Sequence, residues 1–180
     1  MKRGFTMIEL IFVIVILGIM AAVAIPRLAA SRDDATAASI KKDVTAAMSA
    51  VPAFFTGRQD PRLVEALTLD PSRWNALDVG TGFAFDYQNG GQQCVLLEVV
   101  EVNPNNVAAG GNRATNANLD QNNRWVSTAF PDANGVNTGQ PALNIFQGPS
   151  AGSVCSILWD PTALALVAQV IPMAGNRVVW

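Results

Sequence analysis

The feature that most constrains this chain is an uninterrupted apolar run near its start. Residues 10–25 carry no charged side chain and have the sequence LIFVIVILGIMAAVAI. Counted from Phe5, the apolar segment reaches about 20 residues, the length that a membrane-spanning helix needs. It contains one charged residue, Glu9, and a carboxylate at the bilayer centre costs about 2.5–3.5 kcal/mol on insertion scales. The run therefore predicts a membrane-spanning helix whose acid requires a partner.

A secretory signal peptide is the alternative explanation of this run. Such a signal is cut at a small-residue motif that follows the apolar region, and residues 21–24 (AAVA) offer one. Glu9 argues against this alternative, because a carboxylate inside the apolar region is costly and serves nothing in a discarded segment. We therefore favour a helix that is retained.

The remaining composition limits the chemistry that the protein can perform. The 180 residues include no histidine, which excludes Ser-His and Cys-His nucleophiles and histidine-ligated zinc. The net charge of −2 provides no basic face for nucleic acid. No nucleophile motif, phosphate loop or spacing of acidic residues singles out a catalytic centre, so a membrane-tethered enzyme is the least supported class.

Two cysteines, Cys94 and Cys155, lie far apart in the sequence and form no C-x-x-C pair. This spacing argues against a zinc ribbon or a redox motif. In an exported protein the natural interpretation is a disulfide between them, and two unpaired core thiols are the alternative.

The first residues resemble a known leader. The sequence Lys-Arg-Gly-Phe-Thr-Met-Ile-Glu-Leu, followed by an apolar helix that ends in Ala-Ile-Pro, resembles the class III leader of type IV pilins and type II secretion pseudopilins. The resemblance implies that a membrane prepilin peptidase cleaves between Gly4 and Phe5. It also implies that the same enzyme N-methylates the new amine of Phe5, and that the apolar helix stays in the mature protein.

The resemblance also assigns roles to three residues inside the helix. It implies that Glu9 pairs with the Phe5 amine of a neighbouring subunit, which would lower the cost of the buried charge and set the axial register. A carboxylate that snorkels to the membrane interface is the alternative for Glu9. Gly18 and Pro26 each weaken the helix, so the stretch between them can bend or unwind. A simple kink where the helix leaves the membrane is the alternative for Pro26.

The location and partners follow from the same resemblance. Cations lie on both sides of the apolar run, so the positive-inside rule does not choose an orientation. The resemblance implies a single-pass inner-membrane protein with a cytoplasmic N-terminus, which later enters a periplasmic pseudopilus or a cell-surface pilus. The implied partners are prepilin peptidase, an inner-membrane assembly platform, minor pilins or pseudopilins, and further copies in a homo-oligomeric helical filament. Nucleic acid is not expected.

Two functional questions stay open at this point. The leader and the long helix are common to pili and secretion pseudopili, so the sequence does not separate these filaments. A minor pilin that acts as an adhesion or DNA-uptake module at a filament tip is the alternative function. DNA uptake would require a basic patch with aromatic residues, whereas no lysine follows Lys42.

The next segment predicts an amphipathic helix. Residues 27–51 are rich in good helix formers, and an apolar stripe with helical spacing runs along them: Ile40, Val44, Ala47, Met48 and Val51. Pro52 ends the pattern. The predicted organisation is a cleaved leader (1–4), a transmembrane and filament-core helix (5–26), an amphipathic extension (27–51) and a globular head (52–180).

Short elements are expected in the head. Asp60-Pro61 and Asp70-Pro71 each precede a predicted short helix, the first carrying Leu63, Val64 and Leu67 and the second carrying Trp74 and Leu77. Residues 94–102 form the clearest strand, after the turn signal Asn89-Gly90-Gly91, and residues 154–159 are predicted as a second strand. We favour strands over a short helix at 164–171, and a last strand at 177–180. The cysteines would then lie in two strands.

These elements predict an α+β fold of the pilin type, in which a long N-terminal helix, half transmembrane and half amphipathic, packs on an antiparallel sheet. Residues 103–148 are rich in Asn and Gly and predict a long surface loop with one strand near residues 125–127. Calcium is a weak hypothesis for this loop, with the candidate ligands Asn118, Asp120, Asn122, Asp132 and Asn134. A solvated exterior loop is the favoured alternative, so no cofactor is expected.

Overall fold

The computed structural model describes residues 5–77, 82–102, 112–124, 126–128, 134–135, 138–149 and 152–173. The chain divides into two compact units, Met1–Thr36 and Ala37–Trp180. Helix α1 (Met7–Arg58) contributes to both. The first unit, where described, is the N-terminal part of this helix, and the second unit is an α+β head.

Helix α1 is longer than predicted at its C-terminal end. It is helical at every residue from Gly18 to Pro26, and it also continues through Pro52. It ends after Arg58, where Gln59 adopts a φ of 60° and donates its backbone N–H to the carbonyl of Phe55 at 2.6 Å. A left-handed residue that closes the last turn is a common helix stop. The expected end at Val51 is therefore wrong, whereas a loosened stretch near Gly18 and Pro26 stays a prediction.

The predicted apolar stripe on α1 is confirmed in the head. Four of the five predicted residues, Ile40, Val44, Ala47 and Val51, are buried, and Met48 is partly buried beside them. Ala37 and Phe55, which were not predicted, extend the buried face at its two ends. These residues belong to one core cluster with side chains of the sheet, including Val95, Leu97 and Ile145. Helical spacing brings the stripe to one face, and the core of the head therefore lies between α1 and the sheet.

In the described part of the chain, six strands form the sheet, and all their pairings are antiparallel. They are β1 (Trp74–Ala76), β2 (Ala84–Asn89), β3 (Gln92–Val102), β4 (Asn112–Arg113), β5 (Gln140–Gln147) and β6 (Gln169–Pro172). Five follow the order β1-β2-β3-β5-β6, while the short β4 pairs with Val100 and Glu101 of β3. The predicted α+β class with an antiparallel sheet is confirmed, and β3 is its central strand.

The predicted turn signal before β3 connects β3 to β2 as a hairpin, although sequence analysis did not predict the strand that precedes the turn. Gly90 and Gly91 have φ values of 63° and 79°, and Asn89 pairs with Gln92 across the turn. Two successive residues with positive φ define the tight hairpin turn whose twist matches that of the strands, and glycine adopts this conformation without strain.

Three of the predicted head elements are wrong. Residues 154–159 belong to a helix, α3 (Ser153–Trp159), rather than a strand. Its buried side chains, Val154, Cys155 and Leu158, have the spacing of one helix face, which short apolar runs do not distinguish from a strand. Trp74 starts the edge strand β1 rather than a helix, because a turn at residues 71–73 leads directly into pairing with β2.

The third error is β5, which lies in the segment predicted as a surface loop. Its residues 141–145 are all buried, so the strand shows no alternation of polar and apolar side chains. It also contains Pro141, which argues against a central strand because proline donates no backbone hydrogen bond. The pairing of β5 along its full length with residues 95–102 of β3 overrides both local signals.

The remaining predictions have mixed outcomes. Helix α2 (Leu63–Ala66) confirms the first short helix, and β3 confirms the strand at 94–102. Only the end of the segment 164–171 is a strand, as part of β6. Trp125 and residues 177–180 lie outside the described residues, and Val126 and Ser127 are not in a strand.

A disulfide joins Cys94 of β3 to Cys155 of α3. It links a strand to a helix, whereas sequence analysis placed both cysteines in strands. Both cysteines are buried in the core cluster. The indole Nε1 of Trp159 donates to the carbonyl of Cys94 at 3.1 Å, so a hydrogen bond supports the same junction. The covalent link secures α3 to the central strand.

A second fixed point is the buried carboxylate of Glu101, which is 2% exposed at the end of β3. Its Oε1 accepts from the Ser127 hydroxyl (2.5 Å) and the Thr128 N–H (2.9 Å). Its Oε2 accepts from Asn118 Nδ2 (2.8 Å) and the Thr128 hydroxyl (3.0 Å). Gly139 lies so close that a Cβ there would overlap Glu101. One carboxylate therefore organises residues 118–139 where they are described.

Replacing both cysteines by alanine should lower the free energy of unfolding by about 4 kcal/mol, because the sequence separation of 61 residues sets the loop entropy that the bond removes from the unfolded chain. Urea unfolding of the full-length protein in detergent, with and without reductant, measures this. Reductant should leave the double variant unchanged. Equal stability of the oxidised and reduced wild type would contradict the prediction.

Substituting Glu101→Gln should lower the free energy of unfolding of the head by about 1–3 kcal/mol. The side-chain NH2 group of glutamine would face hydrogen-bond donors that now donate to a carboxylate oxygen. The substitution should also speed trypsin cleavage after Arg113 and Arg124, which flank the Glu101-bound segment. The matched control is Glu65→Gln, an exposed acid of the head. Unchanged proteolysis in both variants would show that Glu101 does not hold the segment.

Candidate functional site

The N-terminal unit has an apolar surface that nothing in its own fold covers. Every large apolar side chain from Phe5 to Leu28 is exposed, from 37% at Ile16 to 85% at Phe5. The most apolar 18-residue stretch of α1 has a mean hydropathy of 3.0, and no part of that stretch is buried. By length and composition, α1 can cross a membrane. An exposed apolar surface of this extent requires lipid or protein around it.

Glu9 lies in the first turn of this helix and is held there by Thr6. The N–H and the hydroxyl of Thr6 both donate to Glu9 Oε2, each at 2.8 Å. In return, the Glu9 N–H donates to the Thr6 hydroxyl oxygen at 3.4 Å. This reciprocal pattern is a capping box, and it satisfies backbone donors that a helix start leaves unpaired. Among the described residues, Glu9 Oε1 accepts no hydrogen bond.

Sequence analysis predicted a role for Glu9 but missed Thr6. The signal was present, because Thr6-Met7-Ile8-Glu9 has the Ser/Thr-x-x-Glu spacing of a capping box ahead of an apolar run. The structure brings Phe5, Thr6 and Glu9 into the first turn of α1 or next to it. Gly4, the predicted cleavage residue, lies outside the described residues.

Gly18 and Pro26 lie farther along the same exposed surface. A Cβ added at Gly18 would meet no heavy atom within 4 Å, so this glycine is not required for packing inside the isolated chain. Pro26 provides no backbone N–H and therefore removes one hydrogen bond from the helix. Their proposed role in flexibility depends on what surrounds the helix.

The calcium candidates do not form a cation site in the described part of the chain. Asp120 Oδ1 accepts the backbone N–H groups of Arg124 (2.9 Å) and Asn122 (2.7 Å), and these bonds, first that from Arg124, lower the pKa of Asp120. Asn118 is buried beside Glu101. Asp132 lies outside the described residues, among which no group of three Asp, Glu, Cys or His side chains is placed to hold a metal ion.

An α+β head that follows an exposed apolar helix is an arrangement consistent with the pilin fold. Residues 1–25 match the family model of the prokaryotic N-terminal methylation motif, which is the class III prepilin leader of type IV pilins and pseudopilins. The match supports a pilin-like or pseudopilin substrate of prepilin peptidase. Neither the curated proteins nor the solved structures give a match.

Proposed function

We propose that this protein is a structural subunit that polymerises into a type IV filament after prepilin peptidase removes residues 1–4. The observation that carries the proposal is the exposed apolar surface of α1, which begins at the methylation motif and displays a single acid in its first turn. The leader and Glu9, on which the proposal depends, both belong to the N-terminal anchor. This placement fits a structural subunit rather than an enzyme.

The apolar surface fits two successive environments. In the membrane, lipid surrounds the helix and satisfies its apolar side chains. In a filament, the same side chains would pack against copies of the helix. Lipid tails are as apolar as these side chains, so moving the helix from lipid into the filament gains little hydrophobic free energy. Close packing and polar pairing therefore decide whether subunits associate. This is why Glu9 is central to the proposal.

Glu9 provides the polar pairing. Thr6 occupies Oε2 of the carboxylate, which leaves Oε1 to accept from a cation. The amine of Phe5, created by cleavage after Gly4, would supply that cation from a neighbouring subunit. A carboxylate in an apolar surrounding is costly alone and much less so when it is paired and hydrogen-bonded. The pair would also fix the axial register of neighbouring helices.

The remaining parts of the chain would serve this assembly. Residues 5–26 would form the transmembrane and filament-core helix, with Gly18 and Pro26 letting it loosen on packing. From residue 27 the helix would continue into the head as far as Arg58, and the head would face outward on the filament. The disulfide supports a location outside the cytoplasm, because such bonds persist in oxidising compartments.

The subunit would therefore enter the inner membrane once, with its N-terminus in the cytoplasm and its head in the periplasm. Its partners would be prepilin peptidase, the assembly platform in that membrane, minor subunits and further copies of itself. The proposal covers both a surface pilus and a secretion pseudopilus, since the anchor is the same in both.

Processing can be checked directly on the mature protein. Co-expression with an active prepilin peptidase should yield a chain that starts at N-methylated Phe5, because the leader match includes Gly4 and Phe5. Intact-mass and N-terminal peptide mass spectrometry measure this. A catalytically inactive peptidase is the control and should leave Met1 in place. A start near Ala24 would instead indicate a secretory signal.

Replacing Glu9 by glutamine should leave insertion and cleavage intact but reduce filament assembly by at least about a hundredfold, since losing one partner of a buried ion pair costs about 3–5 kcal/mol. Sheared-filament yield and electron microscopy measure assembly. The matched control is Glu65→Gln in the head, which should assemble normally. Wild-type filament yield from the Glu9 variant would remove Glu9 from the mechanism.

A further inference from the structure

A polar cleft at the end of α1 has no role in the filament proposal. Its volume is about 640 Å³, which lies within the range of about 300–1,000 Å³ that is typical of small-ligand pockets. The described residues that line it are three arginines, two asparagines, two acids and one glycine. They come from three parts of the head: the last turn of α1, the segment around α2 and the turn at residues 120–124.

One of the three arginines already pairs with both acids of the cleft. Arg62 Nη2 donates to Asp60 Oδ2 at 2.7 Å, and Arg62 Nε donates to Asp60 Oδ1 at 3.0 Å. Glu65 lies 3.7 Å from the same guanidinium. The hydrogen bonds from Asp60 raise the pKa of Arg62, so this arginine stays charged and paired. It holds the wall of the cleft together.

The other two arginines, Arg58 and Arg124, are exposed and take part in none of the ion pairs among the described residues. The Arg58 guanidinium lies over the ring of Phe54, 5.3 Å from its centroid, a contact that favours a fixed position for the cation. Arg124 belongs to a turn that its backbone hydrogen bonds to Asp120 define. Asp120 also attracts the Arg124 side chain electrostatically, but it is not among the lining residues. The cleft therefore presents two guanidinium groups to a ligand.

The charge of the lining favours a ligand with one negative charge. Three arginines and two acids give the described lining a net charge of +1, which a single carboxylate balances. A guanidinium binds a carboxylate through two parallel hydrogen bonds. The side-chain amides of Asn122 and Asn123, which also line the cleft, offer donors and acceptors together. Such groups match the hydroxyls that surround the carboxylate of a sugar acid.

The same lining argues against two larger classes of partner. Protein partners anchor on aromatic or other large side chains in well-packed, desolvated pockets, whereas none of the described lining residues has an apolar side chain. Single-stranded nucleic acid binds through stacked aromatic side chains and a continuous basic groove, and the described lining provides neither. A small, polar ligand with one charge fits this cleft better than either class.

We propose that this cleft binds a uronic acid residue of an acidic glycan. Arg58 and Arg124 would hold the carboxylate, and Asn122 and Asn123 would bind the neighbouring hydroxyls. The head would then have a binding function of its own, in addition to any part in a filament. All the lining residues belong to the head unit, so the proposal does not depend on polymerisation.

Isothermal titration calorimetry of the full-length protein in non-ionic detergent, with trigalacturonate as the probe, tests the proposal. The wild type should bind the probe saturably. Arg58→Gln and Arg124→Gln should each weaken binding roughly tenfold, because each variant loses charge-assisted hydrogen bonds to the carboxylate. The matched control is Arg32→Gln, which removes the same charge from an exposed arginine outside the head unit and should bind as the wild type does.

Three further probes identify the group that is bound. The methyl ester of trigalacturonate has lost the negative charge and should bind at least about tenfold more weakly. A thymidine oligonucleotide and hexaglutamate represent nucleic acid and acidic protein, and both should bind more weakly than trigalacturonate. Thermal unfolding of the Arg58 and Arg124 variants should match that of the wild type, because both side chains are exposed.

Four results would overturn the proposal. They are the absence of trigalacturonate binding, equal binding of its methyl ester, undiminished binding by both arginine variants, and tighter binding of the oligonucleotide or of hexaglutamate. None of these results would bear on filament assembly, which the Glu9 variant tests separately.

Discussion

The packing of one face of α1 against the sheet is the interaction on which the described head depends. Six buried residues of α1 supply that face, and each large side chain among them contributes about 1.5–3 kcal/mol by burial. They meet the inner side chains of β3 and β5, the two strands with the most extensive pairing. Without the helix, this face of the sheet would lie open to water.

Polar and covalent links then secure the parts that this core does not reach. The disulfide joins α3 to β3, and Glu101 holds the segment that follows β4 through Asn118, Ser127 and Thr128. Because this segment is held at a few points, its exposed side chains are not needed for packing. This explains how the head can present an Asn-rich exterior and still keep a defined fold.

The N-terminal part of α1 depends on a different balance. Its apolar side chains are not buried within their own unit. Lipid or other subunits must therefore surround them. Glu9 is the one carboxylate in residues 5–26. It is tolerable in an apolar surrounding only with hydrogen-bond partners, and Thr6 provides the first of them. The capping box thus links a feature of ordinary helix termini to the step in which a neighbouring subunit would complete the pairing.

What the sequence determined by itself were the features set by near neighbours: the leader, the apolar run, the stripe from Ile40 to Val51, the turn at Gly90 and the strand after it. Each depends on the spacing of residue types within a few positions, and the helix and strand periodicities can be recognised over that range. The tertiary structure alone decided that residues 153–159 form a helix, that β5 lies beside β3, and that Glu101 is buried among hydroxyl and amide donors. These outcomes arise from contacts between segments far apart in the chain, whose energies outweigh local preference and leave no local signal.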